Sequence, residues 1–197
     1  HIGGMDAVIK SFDIGTIYMP KVTSTTKTFK DVITAMNGKG LKAAIPKPGS
    51  TFKLGDAVCT ILAPNGDSYK DLNNYSIVLK VVFGSSKFIF EGDAGDVSEG
   101  QILSKGYDVS ADVIKIGHHG SSSASTRAYI SKVSPKYAVI SVESGNSYGH
   151  PHKETMATLK NMGIPVYRTD EEGTIIATSD GKNISFNCSP GSYAAGS

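Results

Sequence analysis

The sequence predicts a mixed α/β fold with two sheets in a single domain. Three observations lead there. Strand-like and helix-like stretches alternate along most of the 197 residues. No linker-like segment divides them, and no internal repeat recurs. A hydrophobic fraction of 39% against 19% charged residues belongs to a globular chain able to bury a core, not to a disordered one. The domain is expected to span residues 1–188, with the small, polar stretch 189–197 as a flexible tail.

Each element has its own signal. Gly4 to Phe12 reads as a short helix because Met5, Val8, Ile9 and Phe12 share one face. Ile14 to Met19 reads as a buried strand stopped by Pro20, and Thr28 to Asn37 as a helix carrying Phe29, Val32, Ile33 and Met36 up to Gly38 and Gly40. Thr51 to Leu62 alternates loosely and stops at the turn Pro64-Asn65-Gly66. Ser76 to Phe83 and Lys87 to Phe90 flank Gly84-Ser85-Ser86 as a hairpin. Val97 to Lys105 is a helix closed by Gly106. A strand, loop and helix pattern then runs twice: Ala111 to Ile116 with Ser125 to Val133, and Tyr137 to Val142 with Pro151 to Met162. Val166 to Tyr167, Thr174 to Thr178 and Asn183 to Phe186 close the chain as strands, joined by turns at Glu172-Gly173 and Asp180-Gly181.

Composition excludes some classes. No apolar run approaches the roughly 20 residues of a membrane helix, and no secretory signal pattern opens the chain. A net charge of +2 is compatible with a phosphate-rich partner without demonstrating one. Cys59 and Cys188 lie in no ligand-like spacing and read as two ordinary thiols, with a disulfide as the alternative.

The chemistry is concentrated. All five histidines fall in three motifs at the edges of apolar runs: His1-Ile2-Gly3-Gly4, Gly117-His118-His119-Gly120 and Gly149-His150-Pro151-His152. Glu91-Gly92-Asp93-Ala94-Gly95 ends a strand in the same manner. Imidazoles and a carboxylate delivered to strand ends suit a metal-assisted hydrolase. Asp93 can bridge two cations through its two oxygens; equally, it can cap the helix that starts near Asp96. In extended chain His118 and His119 point apart, so one of them is expected as a ligand, with His119 favoured because Gly120 admits close backbone approach. The hydroxyls from Ser121 to Thr126 offer donors to a phosphate, or form a loop leading to a Ser125 cap. Pro151 fits the first position of a helix, which places His150 and His152 at a positive helix end suited to anions, with Asn146 and Tyr148 on the same loop. His150 there can donate to a phosphoryl oxygen or protonate a leaving oxygen. For His152 a plain helix cap is a fair alternative.

His1-Ile2-Gly3-Gly4 resembles the end of the His-x-His-x-Asp-His motif of the metallo-β-lactamase superfamily. The later pieces follow in that superfamily's order: Asn73-Asn74-Tyr75-Ser76, Phe90-Glu91-Gly92-Asp93, and Lys115-Ile116-Gly117-His118-His119-Gly120-Ser121. Asn146-Ser147-Tyr148-Gly149-His150-Pro151-His152 and Val166-Tyr167-Arg168-Thr169-Asp170 resemble the metallo-hydrolase domain of ComEC-type DNA-uptake proteins.

The resemblance implies an αββα sandwich, here lacking its first strands, with a dinuclear zinc or manganese site at one sheet edge. It implies His1, Asp93 and one of His118 and His119 as ligands, with Asp93 bridging and also catalytic. It implies His150 as a catalytic donor, and His150, His152, Asn146, Ser121 and Asn74 as the substrate-contacting set. Where many members place a histidine, Asn73 to Ser76 has none. The function implied is a metal-dependent phosphodiesterase that cuts DNA during uptake, outside the cytoplasm and at the cell surface. The partners implied are DNA or another phosphodiester, the upstream segment of the same protein and a membrane-embedded uptake channel, with no nucleotide cofactor. Without the residues that precede His1 in the motif, this chain is expected to bind metal poorly and to be inactive alone. The rival readings are a secreted phosphoesterase acting on cell-wall or choline phosphate, and a metal-free scaffolding domain.

Overall fold

Residues 2–196 are described by the computed structural model, and the chain divides into two compact units after Pro46. In the first, α1 (Met5–Ser11) is followed by β1 (Ile17–Tyr18), α2 (Lys27–Gly38) and β2 (Ala43–Ala44), the last pairing in parallel with β1. Ile9 of α1 and Val32, Ala35 and Met36 of α2 form its small core. Helix α2 begins earlier than its apolar stripe because the Thr26 hydroxyl accepts from Phe29 N–H and caps it. The strand predicted over Ile14 to Met19 shortens to two half-buried residues, since its partner offers only Ala43 and Ala44 before Pro46.

The second unit holds seven strands in one sheet: β3 (Thr51–Leu54), β4 (Ala57–Ala63), β5 (Val78–Phe83), β6 (Ser86–Phe90), β7 (Val113–Lys115), β8 (Tyr137–Ile140) and β9 (Val166–Arg168), paired in chain order. Neighbours run antiparallel from β3 to β6 and parallel from β6 to β9. The single strand predicted over Thr51 to Leu62 is a hairpin, turned at Gly55-Asp56 where Gly55 takes a φ of 57°. Parallel neighbours need crossovers, supplied by α3 (Asp96–Ser104), α4 (Arg127–Val133) and α5 (Lys153–Asn161). Ile89, Ile114, Ala138, Ile140 and Val166 pack with Ile102, Ile130, Val133, Met156 and Leu159 from these helices. Each fully buried large aliphatic side chain contributes about 1.5–3 kcal/mol.

A short helix, α6 (Thr169–Glu172), stands where a turn was predicted, and β10 (Ala177–Ser179) pairs antiparallel with β11 (Ile184–Phe186). Phe186 stacks on Tyr167 of β9 at 3.8 Å between ring centres. Among the described residues the expected second sheet is thus represented by two-stranded pairs, not by a large sheet. Cys59 and Cys188 are free thiols. No helix among the described residues is long and apolar enough to cross a membrane.

The stretch expected to be a flexible tail is hydrogen-bonded along its length. Gly191 N–H donates to Val166 O at 2.7 Å, Tyr193 Oη to Ile164 O at 2.9 Å, and Gly196 N–H to Pro151 O at 2.8 Å. Arg168 supplies the reason. The residue is 2% exposed, so its guanidinium donors need acceptors. It finds them in Asp170, Glu171 and the carbonyls of Ser192 and Ala194.

Candidate metal centre

Parallel strands end at one edge of a sheet, so the segments after β6, β7 and β8 emerge side by side. Those segments are Glu91–Gly95, Gly117–Ser125 and Ser141–His152. The strand β5 runs antiparallel to β6, and the segment that leads into it brings Asn74 and Ser76 to the same edge. Motifs far apart in sequence therefore meet.

Asp93 follows a turn at Gly92, whose φ is 58°, and its N–H donates to Ser76 Oγ at 3.1 Å. It does not cap α3. That task belongs to Asn74, whose Oδ1 accepts from Gly95 N–H at 3.2 Å and Ser98 N–H at 3.1 Å. Asn74 is 4% exposed, so the residue expected to touch substrate is a buried helix cap.

His118 and His119 are not extended. Both take left-handed backbone angles, with φ of 47° and 56°, inside a short turn from Gly117 to Gly120. The expectation that they point apart as in a strand therefore does not apply; the rings lie 6.3 Å apart at 63°. Ser141 O can only accept, so the 2.6 Å contact makes His119 Nδ1 the donor. In the neutral ring Nε2 then carries the lone pair, and it faces Asp93 Oδ1 at 3.5 Å. His118 Nδ1 lies 3.4 Å from Ser123 Oγ instead. Gly120 does admit close backbone approach, and what approaches is Pro151: a Cβ on Gly120, at φ of 85°, would sit 2.5 Å from Pro151 Cβ.

Two buried glutamates hold this turn from below. Glu91 Oε2 accepts from Gly117 N–H at 2.7 Å and from Ser125 Oγ at 2.6 Å. Glu99 accepts from Ser125 N–H, from Thr126 N–H at 2.9 Å and from Thr126 Oγ1 at 2.6 Å. Burial pushes Glu91 up to about 8, with the neighbouring Glu99 carboxylate adding to it, and burial raises Glu99 as well. Burial also lowers the Lys115 amine against the pull of Asp93 and Glu91. Glu99 escaped the sequence reading. Its one signal was a carboxylate in the first turn of a helix that directly follows the Asp93 motif.

His150 is 7% exposed, and burial lowers its affinity for a proton, with the other imidazoles adding to the effect. It packs against His118 at 5.4 Å, His119 at 6.3 Å, His152 at 4.7 Å and Tyr148 at 5.6 Å. The Asn146 amide is spent on the loop: Oδ1 accepts from Tyr148 and His150 N–H, and Nδ2 donates to Glu143 and His150 O. His152 is a staple too. Its Nδ1 accepts from Ser122 N–H at 3.0 Å, which leaves Nε2 to donate to Tyr148 O at 3.1 Å. Ser121 is 5% exposed, with its hydroxyl on Ser123 Oγ and its carbonyl receiving Thr155 Oγ1. Pro151 precedes the helix and is not its first residue, since His152 is the N-cap and gives its N–H to Gly120 O. His1 lies outside the described residues.

The edge thus assembles Asp93, His118, His119 and His150, while Asn74, Asn146, His152 and Ser121 shape the loops around them. Among the described residues, no group of three or more His, Cys, Asp or Glu side chains is arranged to hold one metal ion. The His119–Asp93 pair does fit a cation. Two donors about 2.1 Å from a tetrahedral ion lie roughly 3.4 Å apart, close to the 3.5 Å observed.

Over 175 residues, 89% of the chain, the sequence is 30% identical to ComE operon protein 3 of Bacillus subtilis (strain 168). It is 34% identical over 115 residues to competence protein ComA of Neisseria gonorrhoeae, and 25% identical over 175 residues to recombination protein 2 of Haemophilus influenzae. Homology to competence proteins therefore extends over most of the chain. The chain spans 23%, 17% and 20% of those three proteins. No family model matches it. Its fold is similar to that of the CmlA β-hydroxylase E377D mutant, with a TM-score of 0.50 and 14% identity over 78% of this chain and 38% of that one.

Proposed function

We propose that this chain is the hydrolytic domain of a competence-type DNA-uptake protein and cleaves DNA as a metal-dependent phosphodiesterase. The observation that carries the reading is His119 Nε2 facing Asp93 Oδ1 at 3.5 Å, with His119 Nδ1 tied to the Ser141 carbonyl. A backbone carbonyl that fixes one ring nitrogen and aims the other is how metal-binding histidines are oriented. We assign Asp93 and His119 to a site for two divalent cations, zinc or manganese, with His118 beside it; His1, whose motif resembles a metal-binding one, lies outside the described residues. When bound, such ions lower the pKa of water and offset phosphate charge.

The protein's own groups do the rest. His150, whose affinity for a proton burial lowers, donates a ring N–H to a phosphoryl oxygen; in the minor imidazolium form it would deliver that proton to the leaving oxygen and return to the neutral ring. The N-terminus of α5, immediately after it, presents the positive end of the helix dipole. Competence and recombination in two relatives' names support DNA as the phosphodiester. A place outside the cytoplasm beside an uptake channel is proposed on the motif resemblance alone.

The test combines metal content with cleavage. The natural protein carrying this domain, loaded with Mn²⁺ or Zn²⁺, should retain metal after desalting and cut oligonucleotides. Asp93→Asn and His119→Ala should lose both. Hydrolysis of small phosphodiesters with no cut in DNA would move the substrate to the rival class. Retention of metal by neither preparation would leave the scaffolding reading.

A further inference from the structure

We infer that the recess beside His150 is a base subsite, in which an unstacked nucleobase of the substrate strand lies on Tyr148 next to the phosphodiester to be cut; this rests on the nuclease reading above. Tyr148 is 76% exposed, more than any other large hydrophobic residue among the described ones. An exposed aromatic ring on a loose loop would mean little. This one is pinned, because its N–H donates to Asn146 Oδ1 at 3.1 Å and its carbonyl accepts from His152 Nε2 at 3.1 Å. Its ring stacks on His150 at 5.6 Å and 21°, so the imidazole that would meet the phosphate also backs the platform.

The recess has about 170 Å³ and is lined by His119, Val142, Glu143, Asn146, Tyr148 and His150. That is smaller than the roughly 300–1,000 Å³ of sites that enclose whole ligands. It suits one ring system of a polymer. The Glu143 carboxylate on its wall repels phosphate, so the phosphodiester belongs on the His119 side and the organic group in the recess. Every base has a π-face, so stacking here selects unpaired strand over duplex without reading sequence. A small quaternary ammonium would also meet an aromatic face and a carboxylate here, which makes choline phosphate the competing occupant.

Two measurements test the inference. The first is binding of a single-stranded oligonucleotide containing 2-aminopurine to the Asp93→Asn protein, read by quenching of its fluorescence. Quenching should persist in a Tyr148→Phe background and be lost in Tyr148→Leu, with unchanged thermal melting. The second is cleavage of matched oligonucleotides with and without a base beside the cut phosphodiester. The otherwise native protein should favour the base by roughly 5- to 150-fold in kcat/KM, and Tyr148→Leu should erase that ratio. Equal rates on both oligonucleotides, or a ratio unchanged by Tyr148→Leu, would overturn the subsite and leave the nuclease reading standing. So would a phosphocholine ester whose KM rises in Tyr148→Leu while the base ratio does not move. No oligonucleotide binding and no cleavage by the native protein would remove both.

Discussion

The large sheet has two halves that differ in more than strand direction. Between β3 and β6 the chain turns back through two-residue hairpins at Gly55-Asp56 and Gly84-Ser85, which carry no candidate site residue, and through the longer segment 64–77, whose Asn74 caps α3 and is no candidate ligand. Between β6 and β9 each connection crosses over through a helix, and every candidate ligand in the described residues sits just after one of those strands. Hairpin turns are as short as backbone geometry allows, so they leave no room for a polar loop. Crossovers leave the sheet at a common edge and must travel, so their first residues are free to carry chemistry. The lesson is that strand direction, more than composition, locates the site.

That contrast can be broken most severely in the parallel half. His119→Ala or Asp93→Asn should abolish metal retention and turnover while leaving the melting temperature close to native, as read by metal analysis and calorimetry. Preserved turnover in either variant would detach the site from this edge. Glu91→Ala comes next. It strands the Ser125 hydroxyl in a buried place and leaves the Gly117 N–H only Ser125 Oγ at 2.9 Å, which should cost about 1–3 kcal/mol and reduce activity about 10- to 100-fold through the His118–His119 turn. Glu91→Gln keeps an acceptor oxygen and should recover much of the stability. Chemical denaturation of both variants checks the pair.

Changes away from the common edge, at Lys80 of β5 with its partner Asp108 in the segment before β7 and at the Gly55 hairpin, should touch stability alone. Lys80 on β5 is 5% exposed at its side chain and donates to Asp108 Oδ2 at 2.8 Å. The Lys80 ammonium, with Ser110 assisting, holds the Asp108 carboxyl well below the usual carboxylate range. Asp108→Asn should cost about 1–2 kcal/mol, a modest figure because Asp108 itself is largely in solvent. A carboxyl lowered in the folded state contributes above its unfolded value and loses that contribution as pH falls through the folded one. Native stability should therefore drop below about pH 4 more steeply than that of Asp108→Asn. The smallest effect is expected at Gly55, where alanine meets open space but must adopt a φ of 57°. The cost is about 1 kcal/mol, with cleavage unchanged. A loss of cleavage from Gly55→Ala would show that the two halves are coupled.

Much of this was legible in the sequence. The apolar stripe from Phe29 to Met36, the Gly84-Ser85 turn and the strand, loop, helix alternation after Glu91 each depend on neighbours a few residues apart, and each element appeared where its pattern stood. The gathering of Asp93, His119 and His150 followed from reading their motifs as strand ends. Boundaries failed where a distant partner intervened. The strand over Ile14 to Met19 was cut short by its two-residue partner, and α5 started late because His152 gives its N–H to Gly120. The residues after Cys188 looked expendable because nothing local shows that a buried guanidinium twenty-odd positions upstream needs their carbonyls.

Side-chain roles divided along the same line. That the chain carries imidazoles and an aspartate at strand ends is a property of residue order, since hydrophobic period and turn residues act over a few positions. Which imidazole nitrogen faces Asp93, why Asn74 caps a helix and why His152 joins two loops are properties of packing. Each depends on a backbone carbonyl, N–H or hydroxyl brought from another strand's loop, and no local pattern records where those groups will stand.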